Sequence, residues 1–163
     1  MEVLAKCEPT VLAENVSAVL RRLQDEDGFV RVAAVKTLGK LEPTALAEHV
    51  STIVHHLEDR ERLVRRAAVE ALGMLEPEIL AQHVSGILKR LEHQDSAVRL
   101  AAVEVLRKLQ RADLAEHVKA LLQLLEDPDP LVSQEAAAAL RRLDNEALAD
   151  HVGAIFQRLD EQH

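Results

Sequence analysis

Apolar and polar positions along the chain alternate with a helical period. In the stretch after Leu41, the residues Leu46, Val50, Ile53 and Leu57 recur three or four positions apart, and Ala47 and Val54 widen the stripe. This predicts an amphipathic helix over roughly 43–58, with Pro43 in the first turn, where its missing N–H costs nothing. A polar turn, Glu58-Asp-Arg-Glu-Arg62, follows. A second apolar series, Leu63, Val64, Ala67, Ala68, Ala71, Leu72 and Leu75, predicts another helix over roughly 62–74. We call these helix A and helix B.

The pair then repeats. Leu41-Glu-Pro-Thr-Ala-Leu-Ala-Glu-His-Val50 returns as Leu75-Glu-Pro-Glu-Ile-Leu-Ala-Gln-His-Val84, an offset of 34 positions. Related phrases start at Cys7, Leu109 and Leu143 with the same offset. A constant period of this size is the mark of stacked helical units that share a running core. One slot is Leu12, Leu46, Leu80, Leu114 and Leu148; another is Leu23, Leu57, Leu91, Leu125 and Leu159. Small residues pair in helix B (Ala33-Ala34, Ala67-Ala68, Ala101-Ala102, then Glu135-Ala136), which lets neighbouring helices come close. The expected fold is all-α: a right-handed α-solenoid of about five helical hairpins, one array over 1–163 with a partial B helix at 1–6.

Helix ends carry their own signals. Asp27, Asp95 and Asp129 stand where an N-cap belongs, and Glu61 fills that slot in the second copy. Gly39 and Gly73 lie near the ends of their B helices, where a left-handed residue would close them. Arg107 and Arg141 hold the same slot later.

These residues resemble a HEAT-like repeat: an Asp in the inter-helix turn, then Val-Arg, paired alanines and a leucine. The pattern reads Asp25, Val30-Arg31, Ala33-Ala34, Leu38 and returns as Asp59, Val64-Arg65, Ala67-Ala68, Leu72. The third copy has His93 in the Asp slot, and the fourth has Ser133 in the Arg slot. The tetratricopeptide repeat has the same length but needs aromatic slots; Phe29 and Phe156 are the only aromatics here. The resemblance implies that the Asp and Arg residues tie one repeat to the next by hydrogen bonds, with anion binding by Arg31, Arg65 and Arg99 as the alternative. It also implies that B helices line the concave surface.

Composition narrows the function. A net charge of -8 with interspersed signs argues against a nucleic-acid partner, which needs clustered Lys and Arg. No apolar run approaches the ~20 residues of a membrane span. A single cysteine, Cys7, excludes an internal disulfide framework, and a cytoplasmic location is the default. Cys7 takes a slot otherwise filled by leucine and reads as a small buried thiol.

The slot Asn15, His49, His83, His117, His151 forms a histidine ladder. Helices packed about 8–10 Å apart cannot easily bring one histidine per repeat onto a single ion at ~2 Å. Interface histidines that satisfy their polar atoms are the expected reading. A HEAT-like di-iron hydroxylase family uses His-Glu dipeptides, absent here, and nothing marks a bilin site. His55-His56 has no counterpart in other copies and reads as surface polar filler. No cofactor, metal site or catalytic constellation is expected.

Slots that change between copies are candidates for recognition. One holds Val32, Arg66, Leu100 and Gln134; a second holds Lys36, Glu70, Glu104 and Ala138. A third, Phe29, Leu63, Ala97 and Leu131, is expected to be partly core. The expected function is a non-enzymatic scaffold that binds a protein or peptide through Phe29, Val32, Lys36, Leu63, Arg66, Glu70, Leu100, Glu104 and Gln134. The alternatives are a structural or engineered array with no ligand, or more remotely a metal- or pigment-handling enzyme. The last helix keeps Leu148, Val152, Ile155, Phe156 and Leu159 apolar. Such ends lack the polar cap of a solenoid, so the expectation is either a fragment of a longer array or homo-association through the terminal helices.

Overall fold

The structure is a computed structural model that describes residues 15–144 together with 148 and 149. Cys7, the partial helix expected over 1–6, His151 and the terminal apolar series Val152, Ile155, Phe156 and Leu159 lie outside the described residues. Two compact units are present, Met1–Lys89 and Arg90–His163. The first contains α1 (Val16–Arg22), α2 (Gly28–Leu38), α3 (Pro43–Ala47), α4 (Val50–His55), α5 (Arg62–Leu72), α6 (Pro77–Gln82) and α7 (Val84–Leu88). The second contains α8 (Ser96–Leu106), α9 (Arg111–Ala115), α10 (Val118–Gln123) and α11 (Pro130–Leu140). No strand occurs among the described residues. No helix among them is long and apolar enough to cross a membrane.

Helix B forms as predicted: α2, α5, α8 and α11 are each one uninterrupted helix. Asp27, Asp95 and Asp129 accept hydrogen bonds from the N–H of Phe29 (2.8 Å), Ala97 (2.9 Å) and Leu131 (2.9 Å). Each satisfies one of the helix's orphan donors. Glu61 makes no such bond, one methylene too long for the turn.

Helix A differs from the expectation of one helix over 43–58. It breaks into α3 and α4 and then a 3-10 turn, His56–Glu58. At the break, His49 takes φ -113, ψ 6, and its N–H bonds to the Leu46 carbonyl three residues back. His83 and His117 repeat this, bonding to Leu80 and Leu114. The tighter turn redirects the chain, yet Leu46 and Ile53 on either side of it both stay buried.

Within the first unit α2 packs along α5, and α4 supports α5; within the second, α8 packs along α11, and α10 supports α11. The alanine pairs are the reason the B helices approach so closely. Ala34, Ala67, Ala68, Ala101, Ala102 and Ala136 are all buried. Gly39 extends this approach, since a Cβ there would lie 3.2 Å from the Ala71 Cβ. Its φ of -61 is right-handed, as is the -71 of Gly73, and no described residue has positive φ. The expected left-handed closure is therefore wrong. The B helices instead wind down through 3-10 bonds such as Lys40 N–H to Thr37 C=O, a path Arg107 follows equally well. That arginine pairs with Glu135, which explains the charge in the fourth copy's small-residue pair.

Candidate functional site

The inter-helix turns carry the arginine–aspartate ladder. Arg31 donates from Nε to Asp59 Oδ2 and from Nη2 to Asp59 Oδ1, both at 2.8 Å. Its Nη1 donates to the carbonyls of Asp25 (2.9 Å) and Glu26 (3.1 Å) in its own turn. Arg99 makes the same bidentate pair with Asp127 at 2.7 Å in the second unit. Burial pushes the Asp59 carboxyl up, but the Arg31 bonds, the Glu61 N–H and the nearby positive charge outweigh it and hold it below the usual carboxylate range. For Asp127 the Arg99 bonds are the largest influence, and the result is again a lowered carboxyl. Both guanidiniums are thus used structurally. Arg65 donates only to the Asp59 and Arg60 carbonyls, and the sequence has His93 where the next aspartate would stand. His93 keeps part of the aspartate's role, its Nδ1 accepting from Asp95 N–H at 3.1 Å.

His56 is not surface filler. It is 4% exposed, with Nδ1 2.8 Å from the Thr52 carbonyl and Nε2 3.2 Å from the Leu23 carbonyl of the preceding hairpin. The ring lines a cavity of about 410 Å³ with Asp25, Arg31, His55, Asp59 and Arg60. Most of these side chains are already engaged with one another. The histidine ladder itself lies at the helix-A breaks. His49, His83 and His117 are half-buried there, and their rings make no hydrogen bond among the described residues, so they are not the satisfied interface histidines expected. Among the described residues no three His, Cys, Asp or Glu converge as metal ligands.

In each unit the variable slots occupy exposed or half-buried positions of the B helices. Phe29 and Leu63, expected to be partly core, are 75% and 53% exposed. They sit in the first turn beyond the cap, where the side chain points away from the supporting A helix. With Val32 they form a groove of about 280 Å³ between the starts of α2 and α5. Lys36 is exposed farther along α2. Arg66 and Glu70 are exposed on α5 and pair with each other at 2.9 Å. Such an i,i+4 pair contributes only about 0.3–0.5 kcal/mol, so either side chain is easily recruited by a ligand. In the second unit, Leu100 and Glu104 are half-buried on α8, and Gln134 is exposed on α11 beside the 58% exposed Leu131. The copy-to-copy comparison missed Glu26, Asp27 and Glu61, which rim the groove. They belong to the turn rather than to the helix, although all three could be read as acids two or three positions before an apolar slot.

Engineered and designed proteins are among the solved structures similar to this chain. An engineered protein is 21% identical, with a TM-score of 0.60 over 96% of this chain and 78% of its own. A designed armadillo repeat protein in complex with the peptide (KR)4 is 21% identical, with a TM-score of 0.60 over 93% and 78%. A computationally designed armadillo repeat protein for modular peptide recognition is 20% identical, with a TM-score of 0.59 over 91% and 76%. These matches support the fold of stacked helix pairs. Comparison with curated protein sequences finds no match. The profile of HEAT repeats matches residues 16–89 and 84–161, and with the ladder and the paired alanines in place the chain belongs to the HEAT-repeat family.

Proposed function

We propose that the chain is a non-enzymatic interaction scaffold, a single array over residues 1–163 that binds a protein or peptide on the exposed side of its B helices. One observation carries this reading. The slots that vary between copies are exposed or half-buried at every described position, while the constant leucine slots are buried at most of theirs, Leu125 being the exposed exception at 40%. Leu46, Leu80 and Leu114 are at most 1% exposed, whereas Phe29, Leu63 and Leu131 exceed half exposure. Apolar side chains held out on the surface of a helix are a common form of recognition surface. Two structurally similar designed armadillo proteins, one in complex with (KR)4 and one made for modular peptide recognition, support peptide binding as the activity.

Selection of a random-peptide library on the purified chain tests the proposal. The control is a variant with Val32, Arg66, Leu100 and Glu104 all replaced by serine. Enrichment on the parent that is lost on the helical variant is expected. Equal enrichment on both would move the binding surface elsewhere, and no enrichment on either would favour a purely structural array.

A further inference from the structure

The groove at the start of α2 and α5 has a definite chemistry. Its floor is Phe29, Leu63 and the half-buried Val32, and its rim is Glu26, Asp27 and Glu61. No lysine or arginine lines it. The nearby cations face elsewhere: Arg60 donates to the Glu26 carbonyl at 3.0 Å, and Arg31 is bound to Asp59. Asp27 is fixed by its cap bond to Phe29 N–H. The Glu26 and Glu61 carboxylates accept no hydrogen bond among the described residues. A volume of about 280 Å³ lies just below the roughly 300–1,000 Å³ of small-molecule pockets. It suits one large side chain.

We propose that this groove docks an extended peptide segment whose single bulky apolar side chain inserts between Phe29 and Leu63, with Lys or Arg on both sides of it. The inference rests on the B-helix binding reading above and names its ligand. Residues two positions either side of the anchor point to the same face of an extended strand. Basic side chains there meet Glu26 and Glu61. An acidic segment is repelled by three carboxylates. A purely apolar one strips water from them without supplying counter-charge, and a purely basic one leaves Phe29 and Leu63 in water. The net charge of -8 attracts the same class of ligand from a distance.

Fluorescence anisotropy on the full chain tests this with labelled synthetic nonapeptides: a central leucine flanked by arginines, the same with central glycine, and the same with glutamates for arginines. The leucine–arginine peptide is expected to bind, more weakly at 300 mM than at 50 mM salt. Central glycine should weaken it roughly tenfold. The double variant F29S/L63S should do the same, and E26Q/E61Q should cost roughly tenfold. Circular dichroism should stay unchanged in both variants, since all four residues are exposed. Equal binding of the glutamate peptide, or binding indifferent to F29S/L63S, overturns the proposal. If a random library enriches another class on the B-helix side while the basic peptides fail, the ligand assignment falls and the scaffold reading stands. If neither binds, both fall.

Discussion

Replacing Asp59 by asparagine removes one charge from the ladder and almost nothing else. Oδ1 can still accept from Glu61 N–H, now 2.9 Å away, and from Arg31 Nη2. Nδ2 then faces Arg31 Nε, donor against donor, in place of a 2.8 Å charge-assisted bond. Arg31 is 6% exposed and cannot turn to water. Removing one partner of a buried ion pair costs about 3–5 kcal/mol. Arg31 retains the Asp25 and Glu26 carbonyls, which partly solvate its charge, so we expect the lower end, about 3 kcal/mol. That is a large share of the roughly 5–15 kcal/mol that holds a typical domain together. Urea unfolding at pH 7 measures the loss, and amide exchange in α2 and α5 localises it. The pH dependence gives a second reading. Asp59 is lowered in the folded chain, so its contribution is complete above the ordinary aspartate value of 3.8 and is lost as pH falls through the lower folded value. The gap between parent and D59N should stay constant from pH 8 to 5 and close only in stronger acid. A D59N chain as stable as the parent at pH 7, or a gap that never closes, would refute the ladder as a charged junction.

Three further substitutions test other joints. Gly39→Ala should destabilise by about 1 kcal/mol in urea. The crowding of its Cβ against Ala71 at 3.2 Å outweighs the helix-propensity gain, and Ala71→Gly should therefore cost less in the Gly39→Ala chain than in the parent. Glu61→Asp should stabilise by up to about 1 kcal/mol, read as a raised melting temperature, because it supplies α5 with the cap that α2, α8 and α11 already have. His56→Ala should cost about 1–3 kcal/mol by removing the ring N–H that the Thr52 or Leu23 carbonyl accepts from, and His56→Arg should recover part of it in the same unfolding assay.

Much of this was legible in the residues. The B helices, their aspartate caps, the alanine contacts and the buried leucine slots follow from a period of apolar positions and from cap chemistry, except at Leu125, which is 40% exposed while Leu124 beside it is buried. The break in helix A was not, because Leu46 and Ile53 are seven positions apart, two full turns, and remain on the buried side whether or not the helix bends at His49. His56 was misread because its dipeptide is unique to one copy. Its slot, however, is Arg22 and Arg90 in neighbouring copies, so a polar residue there is not unique to His56. Gly39 was misread as a closure because spacing cannot tell a glycine that permits a left-handed turn from one that makes room for Ala71. On the candidate surface, the variable helix slots were found, but the acidic rim was not. Glu26 and Glu61 enter the groove only through the packing of one turn beside the next helix.

The ladder has a consequence for how such a chain can grow. Arg31 reaches forward 28 residues to Asp59, a distance shorter than the 34 that separates Leu41 from Leu75. The first two copies therefore each contain both a plug and a socket, Arg31 with Asp25 and Arg65 with Asp59, whereas the third lacks the socket (His93) and the fourth lacks the plug (Ser133). A segment one period long taken from the first two copies brings a complete set of fittings. Lengthening by duplication then needs no invention at the seam, and a worn fitting such as His93 in the socket position leaves the units beyond it with their own intact parts.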